Sequence, residues 1–215
     1  LRGKIAAAAR GVWMGPRPLG YVVLESTLQL GNSGEIETVQ QMFREYLAGQ
    51  SLRSIALGLN ADGSKTTRGN PWNANSVRDV LTNPAYIGQY RWNTRTRAKY
   101  HAARNGTPVE SFRRGFTDES QWTVIDDHHP AIMNREDFQL VQTRLTERQH
   151  STTPYRNGGA YLLTSIIRCG KCGGVMCGGQ PKRGSITYRC QTHSTRGTCD
   201  SNMTAQGPLL AFAIG

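Results

Sequence analysis

Residues 51–88 read SLRSIALGLNADGSKTTRGNPWNANSVRDVLTNPAYIG, and this stretch decides the fold. Leu52, Ile55, Ala56 and Leu59 recur at the spacing of one helical face. Ser51 stands where a hydroxyl can cap the helix start, and Asn60-Ala61-Asp62-Gly63 breaks the pattern. Gly58 weakens this helix, because glycine gives up the most backbone freedom on folding. After a polar turn rich in Gly, Thr and Asn, either Asn73 or Asn75 caps a further helix. Its inner face is Val77, Val80 and Leu81, and Asn83-Pro84 ends it. The order is that of a helix-turn-helix, with a connection longer than the usual few residues.

Upstream, Ile36, Val39, Phe43 and Leu47 mark another helical face, with Ser33 as N-cap and Gly49 as stop. Before it, Gly11, Gly15, Pro16, Pro18 and Gly20 make a turn-rich connector, and Leu1 to Arg10 reads as a basic, alanine-rich helix. Downstream, residues 89–92 and 122–125 are strand-like and are separated by a long polar stretch containing Arg104-Asn105-Gly106, so a small sheet is expected. Asn134, with Asp137 three residues on, caps a helix whose buried stripe is Phe138, Val141 and Leu145. Residues 149–159 have no apolar period and read as a linker, and there is no internal repeat.

The expected architecture is α+β: a small, mostly helical domain with a helix-turn-helix-like core and short strands, followed by a small cysteine-bearing ribbon. The boundaries expected are a connecting helix and linker over 1–20, the mostly helical domain over 21–148, a linker over 149–160, the ribbon over 161–203 and a tail over 204–215.

A hydrophobic content of 37% with 24 glycines in 215 residues speaks against one large apolar core and for two small domains. The formal net charge of +11 draws polyanions, nucleic acid first among them. A membrane surface is disfavoured, because no long apolar span and no strongly amphipathic basic helix is present. The N-terminal residues lack the apolar core and cleavage site of an export signal, so a cytoplasmic location is expected. Leu1 in place of methionine suggests one part of a longer protein. Five cysteines in a reducing compartment suggest a metal rather than a disulfide framework.

Cys169-Gly170-Lys171-Cys172-Gly173-Gly174 is a C-x2-C knuckle whose glycines let backbone N–H groups turn toward thiolates. Cys190 and Cys199 form a second pair eight residues apart, and 17 residues lie between the pairs, enough for a short hairpin. Four thiolates in a closed tetrahedral set favour one structural zinc ion and leave no open position for catalysis. Few apolar residues lie in this segment, so the metal would supply much of its folding free energy. A redox C-x-x-C sits instead at a helix start near a βαβ unit. Cys177 reads better as a small buried hydrophobe than as a ligand, and His193 as a loop histidine.

Arg91, Arg95, Arg97 and Lys99 interleave with Tyr90, Trp92 and Tyr100, the composition of a phosphate-tracking surface. Asn75, Ser76 and Arg78, on the outer face of the helix after the long turn, are candidates for reading base edges. For any one of these residues an ordinary solvated helix face is an equal alternative.

Several stretches together resemble the recombinase domain and zinc ribbon of large serine recombinases, the phage integrase and transposon resolvase group. The resemblance runs through residues 11–21, then through Phe43, Gly49, Ser51, Leu52, Ile55, Ala56, Leu59, Asn60, Gly63, Thr67, Arg68, Gly69, Pro71, Trp72, Val77, Leu81, Asn83, Pro84, Tyr86 and Gly88. It resumes at His129-Pro130-Ala131-Ile132 and at Leu162-Leu163 ahead of the cysteine knuckle. It implies binding of duplex DNA at attachment half-sites, self-association in the intact enzyme, and a ribbon lying further out along the DNA. It assigns no catalytic residue here, because the family cuts DNA with a serine in an arginine-valine-serine context that this sequence lacks. Ser165 stands where these ribbons often have glycine, and residues 203–215 are apolar and uncharged where the family usually continues into a helix. A stand-alone DNA-binding regulator and an inactive relic of a mobile element remain open from the residues. Asp127-His128-His129 weakly matches the start of an HNH nuclease core, but the later Asn and His are not spaced for it.

Overall fold

In the computed structural model the described residues are 1–97, 101–110, 114–150, 161, 163, 166–179, 187–201 and 203–205. The chain divides into two compact units, Leu1–Ala48 with Asp79–Arg144, and Gly49–Arg78 with Leu145–Gly215. The class is α+β, with short antiparallel ladders beside the helices.

In the first unit, α1 (Arg2–Ala9) leads into the hairpin β1 (Tyr21–Leu24) and β2 (Thr27–Leu30). This hairpin lies where the sequence suggested only a connector. Its turn places Glu25 and Ser26 at φ 47° and 65°, a conformation usually signalled by Asn-Gly. Helix α2 (Ser33–Leu47) begins one residue earlier than a Ser33 cap would place it, because Asn32 caps it instead. Asn32 Oδ1 accepts from the N–H groups of Gly34 at 2.8 Å and Glu35 at 3.3 Å. The Arg17 guanidinium binds both Glu35 oxygens, at 2.6 and 2.9 Å, and the Gly20 N–H adds a 2.9 Å bond, which fastens the connector to the first turn of α2.

The 3-10 turn Pro84–Ile87 precedes β3 (Tyr90–Trp92), which pairs with β8 (Thr123–Ile125), the two strands expected from the sequence. Between them lie two further ladders that the polar composition did not signal: β4 (Arg95–Arg97) with β7 (Arg114–Phe116), and β5 (His101–Arg104) with β6 (Thr107–Glu110). Helix α5 (Arg135–His150) follows, capped by Asn134, whose Oδ1 accepts from the Asp137 N–H at 2.7 Å. Phe138, Val141 and Leu145 are buried as expected. Phe43 centres the core of this unit, its ring 6.4 Å from Tyr86 and 6.2 Å from Phe138. The Tyr21 hydroxyl donates to the carbonyls of Ala85 and Pro130 at 3.1 and 2.9 Å, so a buried polar tip is satisfied inside an aromatic core. Gly88 is required by its backbone: its φ is 76°, and a Cβ there would lie 2.7 Å from the His129 carbonyl oxygen.

In the second unit, α3 (Leu52–Ala61) buries Ile55, Ala56 and Leu59, and the Ser51 hydroxyl caps it through the Ser54 N–H at 3.0 Å. Helix α4 (Ala74–Leu81) begins in this unit at an Asn73 cap, whose Oδ1 accepts from Asn75 and Ser76 N–H groups at 2.9 and 3.0 Å. The long turn between α3 and α4 closes on buried Trp72. The ribbon consists of β9 (Met176–Gly179), β10 (Thr187–Cys190) and β11 (Met203–Ala205), with β10 in the middle, and the short helix α6 (Gln191–Arg196). Its small core is Met176 and Tyr188 beside three of the cysteines, flanked by Tyr161, Leu163 and Ile167. The linker expected at residues 149–160 falls almost wholly outside the described residues.

Candidate zinc centre and nucleic-acid interface

Cys169 and Cys172 sit on a tight turn. The Cys169 N–H donates to the Gly174 carbonyl and the Gly173 N–H to the Cys169 carbonyl, both at 2.8 Å. Gly173 takes φ 68°, a conformation that glycine adopts without strain. Cys190 ends β10 and caps α6, and Cys199 follows that helix after the turn at Gly197. The two pairs are thereby brought together: the four Sγ atoms lie within 4.8 Å of one another, with Cys169 to Cys199 at 3.9 Å and Cys172 to Cys190 at 3.5 Å. Tetrahedral zinc with sulfur at about 2.3 Å sets its ligands roughly 3.8 Å apart. The four cysteines therefore fit the ion expected of them.

Their electrostatics point the same way. Hydrogen bonds from Ser201 and then from the backbone N–H groups of Cys172 and Lys171 pull the Cys169 thiol down to about 6. The Gly174 N–H and the Thr192 hydroxyl lower Cys172. The Ser201 N–H also lowers Cys199, but burial together with the neighbouring Cys172, Cys169 and Cys190 outweighs it and pushes that thiol up to about 12. Donors are thus ready for thiolates, while four negative charges at this spacing need a cation among them.

Cys177 stands on β9 opposite Arg189 and is not one of the four. The His193 Nδ1 lies 2.6 Å from the Cys199 carbonyl, so this side chain braces the backbone of a ligand instead of supplying one. Among the described residues the cysteine quartet is the single cluster able to hold a metal. Asp127 pairs with Arg135 at 2.8 Å, and His128 and His129 turn their Nε2 atoms to the carbonyls of Gly11 and Ala85 at 2.5 and 2.7 Å. The two histidines are engaged with backbone carbonyls and Asp127 with Arg135, an arrangement of packing and surface pairing and not of a nuclease core.

The candidate DNA-contacting residues occupy several settings. Asn75 is exposed on the first turn of α4, and Arg78 is half-buried on the same helix. The Ser76 hydroxyl is engaged by the cap: it donates to the Asn73 carbonyl and accepts from the Asn73 N–H, both at 2.9 Å. Arg91 is exposed on β3, with its guanidinium carbon 5.5 Å from the centre of the Trp122 ring and Nε 2.5 Å from Gln89 Oε1. Arg95 is exposed on β4, 4.2 Å over the Phe116 ring. Arg97 lies on the same strand in register with Arg114, and Lys99 falls outside the described residues. Sequence reasoning missed Trp122 and Phe116 as partners, because pairing across ladders joins residues far apart in the chain. The signal available was the pair of aromatics, Phe116 and Trp122, that follows the arginine-rich stretch.

No helix among the described residues is long and apolar enough to cross a membrane.

The family model "Recombinase" matches residues 33–148, more than half of the chain, and the model "Recombinase zinc beta ribbon domain" matches residues 162–213. A Bacillus subtilis (strain 168) protein named "Putative DNA recombinase" is 32% identical over 145 residues, which is 66% of this chain and 27% of that protein. The chain therefore spans about a quarter of that relative's length. Among solved structures, one described as "Crystal Structure of a LSR-DNA Complex" is 19% identical with a TM-score of 0.48, covering 99% of this chain and 61% of that one. Another, described as "Sequence Requirements of the Listeria innocua prophage attP site", is 20% identical with a TM-score of 0.47, covering 99% and 83%. By the two family models, this chain belongs to the recombinase family and carries its recombinase domain followed by its zinc beta ribbon.

Proposed function

We propose that this chain is the DNA-binding part of a large serine site-specific recombinase acting in DNA integration, and that it selects attachment half-sites without catalysis of its own. The observation that carries the reading is the pair of exposed arginines braced on aromatic rings, Arg91 on Trp122 and Arg95 on Phe116, in a chain of net charge +11. A guanidinium held against an aromatic ring loses less freedom when it meets a phosphate. In this reading Arg91, Arg95, Arg97 and Lys99 neutralise phosphates and fix register, while Asn75 and Arg78 read base edges. Asn and Arg suit adenine and guanine respectively. Residues 21–148 act as one DNA-binding domain, residues 149–160 as a linker and residues 161–203 as the ribbon. Self-association belongs to the intact enzyme, and the setting is the cytoplasm.

One zinc ion per chain is assigned to Cys169, Cys172, Cys190 and Cys199. It would tie the knuckle to the β10–α6 junction and so supply folding free energy to a ribbon with a small apolar core. The test is duplex binding by the purified chain across a salt series, with zinc content measured on the same preparation. Arg91→Ala and Arg95→Ala should each lower the slope of log K against log salt by about 1 and weaken binding evenly across sequences. A wild-type chain that does not bind duplex DNA, or slopes that do not move, would defeat the reading.

A further inference from the structure

Phe116 is the most exposed large hydrophobic side chain among the described residues, at 75%. It ends β7, which pairs with β4 in a ladder of two strands among the described residues. The base of this ladder is rigidly mounted. Thr117 donates its N–H to the Thr94 carbonyl at 3.2 Å and its hydroxyl to the Asn93 carbonyl, and the Trp122 indole N–H donates to the Thr117 carbonyl at 3.2 Å. The Asn93 amide holds the carbonyls of Ala103 and Gln121 at 3.1 and 2.9 Å. Phe116 is thus the first residue beyond a braced corner, not part of a loose loop.

The cation beside it is Arg95. The backbone register of the ladder sets Arg95 opposite Phe116 and Arg97 opposite Arg114. The nearest carboxylate in sequence, Asp118, turns back on its own loop, where Oδ1 accepts from the Ser120 N–H at 3.0 Å and hydroxyl at 2.6 Å. An exposed aromatic with a cation on one face, in an arginine-rich stretch of the sequence, complements a polyanion that also offers flat apolar surface. Nucleic acid has that chemistry: phosphates flank base pairs whose faces become available at a step that opens.

We infer that Phe116 is a base-step wedge for duplex DNA: one face of its ring stays under the Arg95 guanidinium, the other stacks on a base at a partly opened step, and Arg95 meets the adjoining phosphate. This rests on the DNA-binding reading above and deepens it, since phosphate contacts alone would leave the ring in water. The wedge also makes the site responsive to how easily a step unstacks, so flexible pyrimidine–purine steps are favoured at that position.

The experiment compares wild type, Phe116→Ala, Phe116→Trp and Arg95→Ala in duplex binding across salt, using duplexes with 2-aminopurine walked along one strand. Circular dichroism checks that each variant is folded, which its exposure leads us to expect of Phe116→Ala. Phe116→Ala should lose about tenfold in affinity with an unchanged salt slope, and the fluorescence rise seen at one step with wild type should vanish. Phe116→Trp should keep both, whereas Arg95→Ala should lower the slope by about 1. Wild type that binds DNA with no 2-aminopurine response, or Phe116→Ala that binds as wild type does, overturns the wedge and leaves the DNA-binding reading standing. A Phe116→Ala effect confined to sedimentation would make this face a protein contact and overturn it too. No DNA binding by wild type would overturn both.

Discussion

The side-chain amide of Asn60 and the backbone of Trp72 hold each other in a two-way clasp: Trp72 N–H donates to Asn60 Oδ1 at 2.7 Å, and Asn60 Nδ2 donates to the Trp72 carbonyl at 2.9 Å. The clasp closes the long turn between α3 and α4. It substitutes for the tight turn that a shorter connection would use, because the side chain at the last turn of α3 imitates a strand partner for the residue entering α4. Trp72 then stays buried at 2% exposure with its indole N–H on the Ser64 hydroxyl at 3.2 Å. The second Nδ2 hydrogen reaches the Arg196 carbonyl at 2.8 Å, so the amide is fully used.

Asn60→Ala should therefore destabilise the chain by about 1–3 kcal/mol, since it strands a largely buried N–H and carbonyl together. Asn60→Asp keeps the acceptor and loses both donors, so its urea midpoint should fall between those of wild type and Asn60→Ala. Equal midpoints for the two variants would show that the Oδ1 bond contributes nothing.

How much of this was legible in the sequence follows from how local each signal is. The helices were readable because caps and apolar periods act within a few residues: Ser51 and Asn134 cap as expected, and of the two asparagines open for α4 it is Asn73 that caps. The cysteine quartet was readable because a knuckle is a local turn, and Cys177, set aside from the sequence, stands on β9 outside the quartet. The β1–β2 hairpin was not readable, because Glu25-Ser26 lacks the usual turn residues and Val23, Leu24 and Leu30 show no buried alternation. The β4–β7 ladder was hidden for a different reason. Arg95 meets Phe116 across a long polar stretch, and no period within either strand announces the partner. Asn60 was noticed only as a helix breaker, since its bond partner lies 12 residues ahead.

The Arg17–Glu35 fork predicts an acid-sensitive connector. The bond from Arg17, first, and then the Gly20 N–H hold the Glu35 carboxyl below its ordinary range against the opposing effect of burial. A carboxylate lowered in the fold contributes stability that is present above its unfolded pKa of about 4.3 and is lost as pH falls through the folded value. Because the Arg17 side chain is 39% exposed, solvent screening keeps the pair modest. Glu35→Gln should cost ~1 kcal/mol at neutral pH and flatten the acid limb of the stability curve. An acid limb unchanged in that variant would assign it to other carboxylates.

His129 predicts a second pH effect, at higher pH. Burial first, with a smaller contribution from His128, keeps its imidazole below the ordinary range, although the bond to the Ala85 carbonyl opposes this. The unfolded chain takes up a proton near pH 6.5, roughly, that the folded His129 refuses, so stability is complete above that pH and declines as pH falls below it. His129→Gln should lower the melting temperature at pH 8 and remove the decline between about pH 6.5 and 5. A decline that persists in the variant would mean that another group controls it.

Zinc removal should separate ligands from bystanders among the cysteines. Cys169→Ser should lose the ion and the folded ribbon, with the transition of the helical core kept, because a site lacking one of four thiolates no longer closes. Cys177→Ser should keep the metal, since Cys177 lies outside the quartet. A Cys177→Ser chain that comes out free of zinc would reassign the ligands.

Asn75 and Ser76 are neighbours at the start of α4, yet only the Ser76 side chain is engaged by the cap, so variants at the two positions test the proposed base reading apart from helix capping. Both hydrogen-bonding functions of the Ser76 hydroxyl are taken by the Asn73 backbone. Ser76→Ala should therefore cost about 1 kcal/mol of stability, the usual worth of a lost cap bond, and weaken DNA binding equally for every sequence as the helix start frays. The exposed Asn75 side chain is free of the cap, which uses only the Asn75 backbone N–H. Asn75→Ala should leave the melting temperature unchanged while relaxing the preference for one base pair by about 1–3 kcal/mol, read by competition among duplexes substituted at each position. A uniform loss across all duplexes with Asn75→Ala would make this residue a phosphate contact or a brace, and would move base reading to Arg78 or off this helix.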